Sequence, residues 1–132
     1  MLRVVIDTSV LISNLWGGHS RKVISLWGEN RIKLLVSDTI VKEYLSVLSR
    51  FVTPEHLRNW AFLFTHPKKV TRIQPKEEYK ACRDEDDNKF LDTAVAGKAD
   101  YIVARDLDLV EMRIFKRIKI LTPGRFLEEI ER

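Results

Sequence analysis

The sequence predicts an α/β sandwich built on a mainly parallel central sheet. Two observations carry this reading. Short apolar runs rich in β-branched residues recur along the chain, and segments with helical periodicity and N-terminal capping residues separate them. Strands that alternate with helices in this way pair in parallel, because each crossover lays a helix on a face of the sheet. A length of 132 residues suits one compact domain, 1–132, and no repeat, low-complexity tract or Gly/Ser linker divides it.

The elements follow in order. Leu2 to Ile6 reads as a buried strand, and Asp7-Thr8-Ser9 supplies helix-capping chemistry ahead of Val10, Leu11, Ile12 and Leu15. Gly17-Gly18 breaks that segment, and a second helix runs from His19 to about Asn30, with Val23, Ile24, Leu26 and Trp27 on one side. Lys33 to Val36 is the second strand. Ser37-Asp38 then caps a helix with apolar positions at Ile40, Tyr44, Val47, Leu48 and Phe51. Pro54 suits the first turn of a helix through Trp60, Leu63 and Phe64. Val70 to Ile73 is a short strand, and Pro75 starts a helical piece through Tyr79. Asn88 to Lys98 is a helix, Tyr101 to Ala104 a strand, and Lys119 to Leu121 a final strand. Pro123 opens a last helix carrying Phe126, Leu127 and Ile130.

Composition narrows the function classes. Hydrophobic residues make up 45% of the chain, enough for a packed core. No apolar run approaches the roughly 20 residues that span a bilayer, and Met1-Leu2-Arg3 leads straight into a strand that meets Asp7 rather than into a signal peptide. The single cysteine, Cys82, has no internal disulfide partner, so a cytoplasmic location is expected. Net charge is +4, from 23 basic and 19 acidic side chains. If four acids are sequestered around a cation, 23 basic groups face 15 acids, an excess of +8 that suits a polyanionic partner.

Four acids do not read as ordinary surface charges. Asp7 directly follows Val4-Val5-Ile6, and Asp106 follows Tyr101-Ile102-Val103-Ala104 after one residue. Both stand at the carboxyl end of a buried strand, the edge where ligands bind in parallel α/β sheets. Asp87 lies three, four and seven residues before Phe90, Leu91 and Ala94, on the apolar stripe of its helix. Glu43 lies three residues after Ile40 and four before Val47, so it borders the buried stripe. Each acid has a plain alternative: Asp7 and Asp87 as N-caps, Asp106 as a turn residue, Glu43 as partner to a basic side chain. Taken together they converge on one end of one sheet. Clustered carboxylates repel and drive proton uptake unless a cation compensates. An oxygen-only donor set suits Mg²⁺ or Mn²⁺, whereas zinc prefers His or Cys. His19, His56 and His66 show no ligand spacing and read as structural or surface residues.

The ordered motifs resemble the PIN-domain family. Val4 to Leu11 is similar to its opening strand and Asp motif, and Ser37 followed by Glu43 to its second acid. Arg83 through Ala94, then Ala99 to Val103, then Asp106-Leu107-Asp108-Leu109, resemble its third and fourth acids with their surroundings. The likeness runs from Leu2 to about Phe126 and is closest to the branch described as toxin components of toxin–antitoxin systems. It implies a three-layer α/β/α fold and a Mg²⁺- or Mn²⁺-dependent endoribonuclease with metal-binding and catalytic acids at Asp7, Glu43, Asp87 and Asp106. Asp84 and Asp108 are additional candidates, with a turn cap as the alternative for Asp108; Thr8 and Ser9 would orient Asp7, and Arg105 would either contact phosphate or serve as a surface residue. Ser9 departs from the Asn that many relatives carry at that position. The resemblance further implies an RNA substrate, a homodimer and an inhibitory antitoxin protein.

Other readings are weaker. A catalytically weak RNA- or protein-binding module of the same fold stays open. An Asp-nucleophile phosphatase wants a second Asp two residues after the first, where this chain has Ser9. Gly17-Gly18 is no phosphate-cradling glycine loop. Lys68-Lys69 and the Arg113, Lys116, Arg117, Lys119 group are either RNA guides or solvated faces. Trp16, Trp27 and Trp60 are read as core, with a dimer face or an antitoxin groove as the alternative.

Overall fold

In the computed structural model, residues 1–131 are described. Six strands form one sheet: β1 (Arg3–Ile6), β2 (Lys33–Val36), β3 (Val70–Arg72), β4 (Tyr101–Val103), β5 (Ile114–Phe115) and β6 (Ile118–Leu121). Their order is β3-β2-β1-β4-β6-β5, and every pairing is parallel except β5 with β6. The helices are α1 (Thr8–Ser13), α2 (Gly18–Gly28), α3 (Asp38–Leu48), α4 (Pro54–Thr65), α5 (Asn88–Ala96), α6 (Leu107–Val110) and α7 (Pro123–Ile130). The expected α/β sandwich with a mainly parallel sheet is the fold observed.

The middle strands are apolar throughout because helices cover them. Val4, Val5, Leu35, Val36, Ile102 and Val103 are all fully buried. Helix α5 packs on β1, β2 and β4, α3 meets α1, α4 and α5, and α2 packs against α1 and α7. Tyr44, Phe64, Phe90 and Phe126 are the bulkiest fully buried side chains. Trp27 stacks on Phe64 at 5.7 Å and on Trp60 at 6.4 Å, which seats α4 over α2. Helix starts follow the expected chemistry: Asp7, Ser37, Thr53 and Thr122 each accept a backbone N–H in the first turn of α1, α3, α4 and α7.

Several expectations need correcting. The segment after Pro75 is irregular rather than helical. Lys76, Glu77 and Glu78 give it no apolar stripe to bury, and it is held by side-chain contacts instead. Asp92 accepts the Tyr79 N–H at 2.7 Å, and the Tyr79 ring meets Phe115 edge-on. Helix α3 ends at Leu48, so Phe51 falls in the following turn and is half exposed. Trp16 is not core: it is 68% exposed and packs edge-to-face with Phe51 at 5.5 Å. The short helix α6 and the β5–β6 hairpin were not expected. The hairpin turns on Lys116 and Arg117, both at positive φ (47° and 71°). No helix among the described residues is long and apolar enough to cross a membrane.

Candidate active site

From β1 the chain builds outward to β2 and β3, whereas β4, β6 and β5 lie on the other side of β1. The sheet order therefore reverses between β1 and β4, and a crevice opens beyond the carboxyl ends of these two strands. The structure sets Asp7, Glu43, Asp87 and Asp106 around this crevice, an open cleft of about 360 Å³. Thr8 and Ser9 line it beside Asp7, and Ile12, Val47 and Phe90 form its apolar wall.

Asp7 is the most firmly held of the four. Its Oδ1 accepts from the Ser9 hydroxyl at 2.8 Å and from the Val10 N–H at 2.9 Å. Its Oδ2 accepts from the N–H groups of Arg105 at 3.0 Å and Asp106 at 3.1 Å. The side chain thus caps α1 and ties the β1 end to the loop after β4. It is 2% exposed, and burial outweighs these four donors, so its carboxyl sits above the usual range.

Asp87 closes a 3₁₀ turn, Glu85–Asp87, that runs into α5. This places a carboxylate at the buried N-terminal end of the α5 stripe. Its Oδ2 is buried without a hydrogen-bond partner. Burial, then the charges of Asp106, Asp84 and Asp7, raise Asp87 from the ordinary 3.8 to about 7. Asp106 caps α6 by accepting the Asp108 N–H at 2.9 Å. Asp84 and Asp108 also reach Asp87: one carboxylate oxygen of each of the three lies within 4.8 Å of the others. Arg83 engages Asp108, with Nε at 2.9 Å from Oδ1.

Glu43 stands apart electrostatically. One oxygen accepts from the Thr8 hydroxyl and the other from the Lys89 ammonium of α5, so both are satisfied within the protein. Directly behind it, Tyr44 donates its buried hydroxyl to the Ile6 carbonyl, and burial, then the charges of Asp7 and Glu43, push this phenol well up. Thr8 thus serves Glu43, not Asp7 as the sequence suggested, while Ser9 does bond Asp7. Sequence reasoning missed Lys89. Its partner lies 46 residues away, and nothing in the local pattern of α5 marks it as a counterion.

The plain alternatives hold locally: Asp7 and Asp106 are N-caps, and Glu43 has a basic partner. They do not account for Asp87, whose buried oxygen lacks a donor amid three further carboxylates. An oxygen-only donor set with an orphaned, charge-crowded carboxylate fits a hard divalent cation.

Fold and site define a class. Residues 3–108 match the family model for the PIN domain, and the chain belongs to the PIN-domain family. It is 34% identical to the uncharacterized protein MJ1680 of Methanocaldococcus jannaschii, over 99% of this chain and 93% of that protein. Its fold is similar to the crystal structure of VapC20 of Mycobacterium tuberculosis, titled a Sarcin-Ricin loop cleaving toxin. The TM-score is 0.58 at 14% identity, covering 88% of this chain and 98% of that one.

Proposed function

We propose that residues 1–132 form one nuclease domain that hydrolyses RNA phosphodiester bonds with Mg²⁺ or Mn²⁺, as the toxin of a toxin–antitoxin pair. The observation that carries this reading is Asp87: a buried, unpaired carboxylate oxygen among Asp7, Asp84 and Asp106. Family membership and the likeness in fold to VapC20, described as a Sarcin-Ricin loop cleaving toxin, support it. A cytoplasmic location, a homodimer and an antitoxin partner belong to the same proposal.

On this reading Asp7, Asp87 and Asp106 hold the ion, with Glu43 beside them. A bound divalent ion supplies Lewis acidity and the positive charge that the scissile phosphate and the acid cluster both require. Asp7 is fixed by four donors, so it holds its place without reorganisation. Asp87 must release its proton to take part. Lys89 holds Glu43 through the ion pair and brings a cation to the cleft. Water is the attacking group, in line with the leaving oxygen, and no side chain forms a covalent adduct. Cys82 is buried with its thiol pushed up by that burial, which makes it a poor nucleophile.

The test compares Mn²⁺ binding by titration calorimetry and cleavage of a mixed-sequence RNA, for wild type and Asp7→Asn. Binding and EDTA-sensitive cleavage should both vanish in the variant. Cleavage that survives in a contaminant-free variant overturns the assignment. A second reading, an RNA- or protein-binding module without turnover, is favoured by one observation: Glu43 is already satisfied by Thr8 and Lys89. RNA binding without cleavage at saturating Mn²⁺ would select it.

A further inference from the structure

Next to the acid cleft lies a second one of about 530 Å³, between the N-termini of α2 and α7. Arg105 joins the two: its N–H holds Asp7, while its side chain lines this second cleft. Arg125 and His19 add basic groups, and Glu128 is the one carboxylate among the lining residues. Neither the Arg105 nor the Arg125 guanidinium forms an ion pair among the described residues.

The α2 wall of the cleft presents peptide donors. Helix α2 begins after Gly17 with no side-chain cap, so its first N–H groups, at Gly18, His19 and Ser20, find no acceptor from a capping side chain. All three residues line the cleft. Ser20 is 4% exposed, and its hydroxyl has no hydrogen bond within the described residues. The two helix ends meet this closely because position 124 has no side chain: a Cβ there would lie 2.8 Å from His19 Nδ1. Unpaired guanidiniums, an uncapped helix start and the idle hydroxyl of Ser20 on the cleft wall together make a site for an anion.

We propose that this cleft binds a backbone phosphate of the RNA strand next to the one that is cleaved. The proposal rests on the ribonuclease reading above and extends it: the substrate is a single strand long enough to reach from the acid cleft, past Arg105, to α2 and α7. Gly17-Gly18 then has a role that is not that of a nucleotide loop. It opens α2 without a side-chain cap and leaves the first amides to the phosphate.

The test uses a fluorescent 12-nucleotide single-stranded RNA and a dinucleotide that carries only one phosphodiester. Both are titrated with Ca²⁺ in place of Mn²⁺, so that the acid cleft can take the dinucleotide's single phosphate, against wild type, Arg125→Gln and Arg125→Lys. Arg125 is exposed, so the variants should melt with wild type. Arg125→Gln should weaken 12-mer binding about tenfold. The slope of log affinity against log salt should fall by about 0.7, the value for one phosphate on a single strand. Arg125→Lys should restore the slope, and dinucleotide binding should be the same for all three proteins. Equal 12-mer binding by wild type and Arg125→Gln, or an equal loss on the dinucleotide, overturns the subsite. Cleavage in Mn²⁺ is read on the same preparations. RNA binding with the Arg125 effect but no cleavage retains the subsite and overturns the nuclease. Cleavage with KM unchanged in Arg125→Gln does the reverse.

Discussion

Lys89 of α5 forms an ion pair with Glu43 of α3, and the Thr8 hydroxyl occupies the other Glu43 oxygen. An internal cation therefore sits at the edge of a cleft whose remaining acids form no ion pair among the described residues. If the cleft takes a divalent ion, Lys89 opposes that ion's charge. Replacing it by Met should tighten Mn²⁺ binding on the order of fivefold. Calorimetric titration of metal-stripped protein measures this. An unchanged affinity would place Glu43 and its partner outside the metal site.

Asp87 gives a pH dependence with a definite sign. Its folded pKa of about 7 lies above the ordinary 3.8, so between these values the folded state holds more protons than the unfolded state. Ionising Asp87 therefore lowers stability as pH rises from about 4 to about 7, and the loss then levels off. Asp87→Asn should remove it and stabilise the metal-free protein at pH 8 by roughly 1–2 kcal/mol, after discounting for solvent screening. Urea unfolding at pH 5 and pH 8 tests the claim. An Asn variant no more stable than wild type at pH 8 would contradict it.

Protons also compete with metal at this carboxylate. Mn²⁺ affinity should fall as pH is lowered from 8 to 6, and the fall should be shallower in Asp87→Asn. Parallel titration curves for the two proteins would remove Asp87 from the ligand set.

Tyr44 supports the site from below through its buried bond to the Ile6 carbonyl. Tyr44→Phe keeps the ring packing against Phe64 and loses only the donor. It should cost about 1–2 kcal/mol and lower Tm by about 5 °C. A Tm equal to wild type would mean that water replaces the hydroxyl freely.

Gly97 ends α5 where the chain turns under the sheet. A Cβ there would lie 2.8 Å from Leu35 Cδ1 and 3.0 Å from Ile73. Both neighbours are side-chain ends that can shift, so Gly97→Ala should cost about 1 kcal/mol rather than unfold the protein. Thermal melts would show it, and a stabilised variant would mean the unfolded-chain entropy dominates.

The four acids were legible because burial and strand position are written in local sequence. Val4-Val5-Ile6 before Asp7 and Tyr101-Ile102-Val103 before Asp106 marked two strand ends, and these strands proved to be neighbours. The counterions were not legible. Lys89 meets Glu43 across 46 residues, and no local pattern announces a long-range pair. The hairpin was hidden for a different reason. Two-residue hairpin turns with both φ positive usually carry Asn-Gly, and here they carry Lys116-Arg117. Pro75 misled because a good first-turn residue does not make a helix without an apolar stripe behind it.

That hairpin bears on how molecules of this chain meet one another. It ends the sheet with a strand of two residues, flanked by Arg113, Lys116 and Arg117, all in left-handed backbone conformations. The opposite border, β3, is three residues long and carries Arg72, which is tied to Asp38 at 2.8 Å. Neither border offers a length of open, apolar main chain that a second copy could use as a template, so stacking sheet onto sheet into fibres is discouraged at both ends.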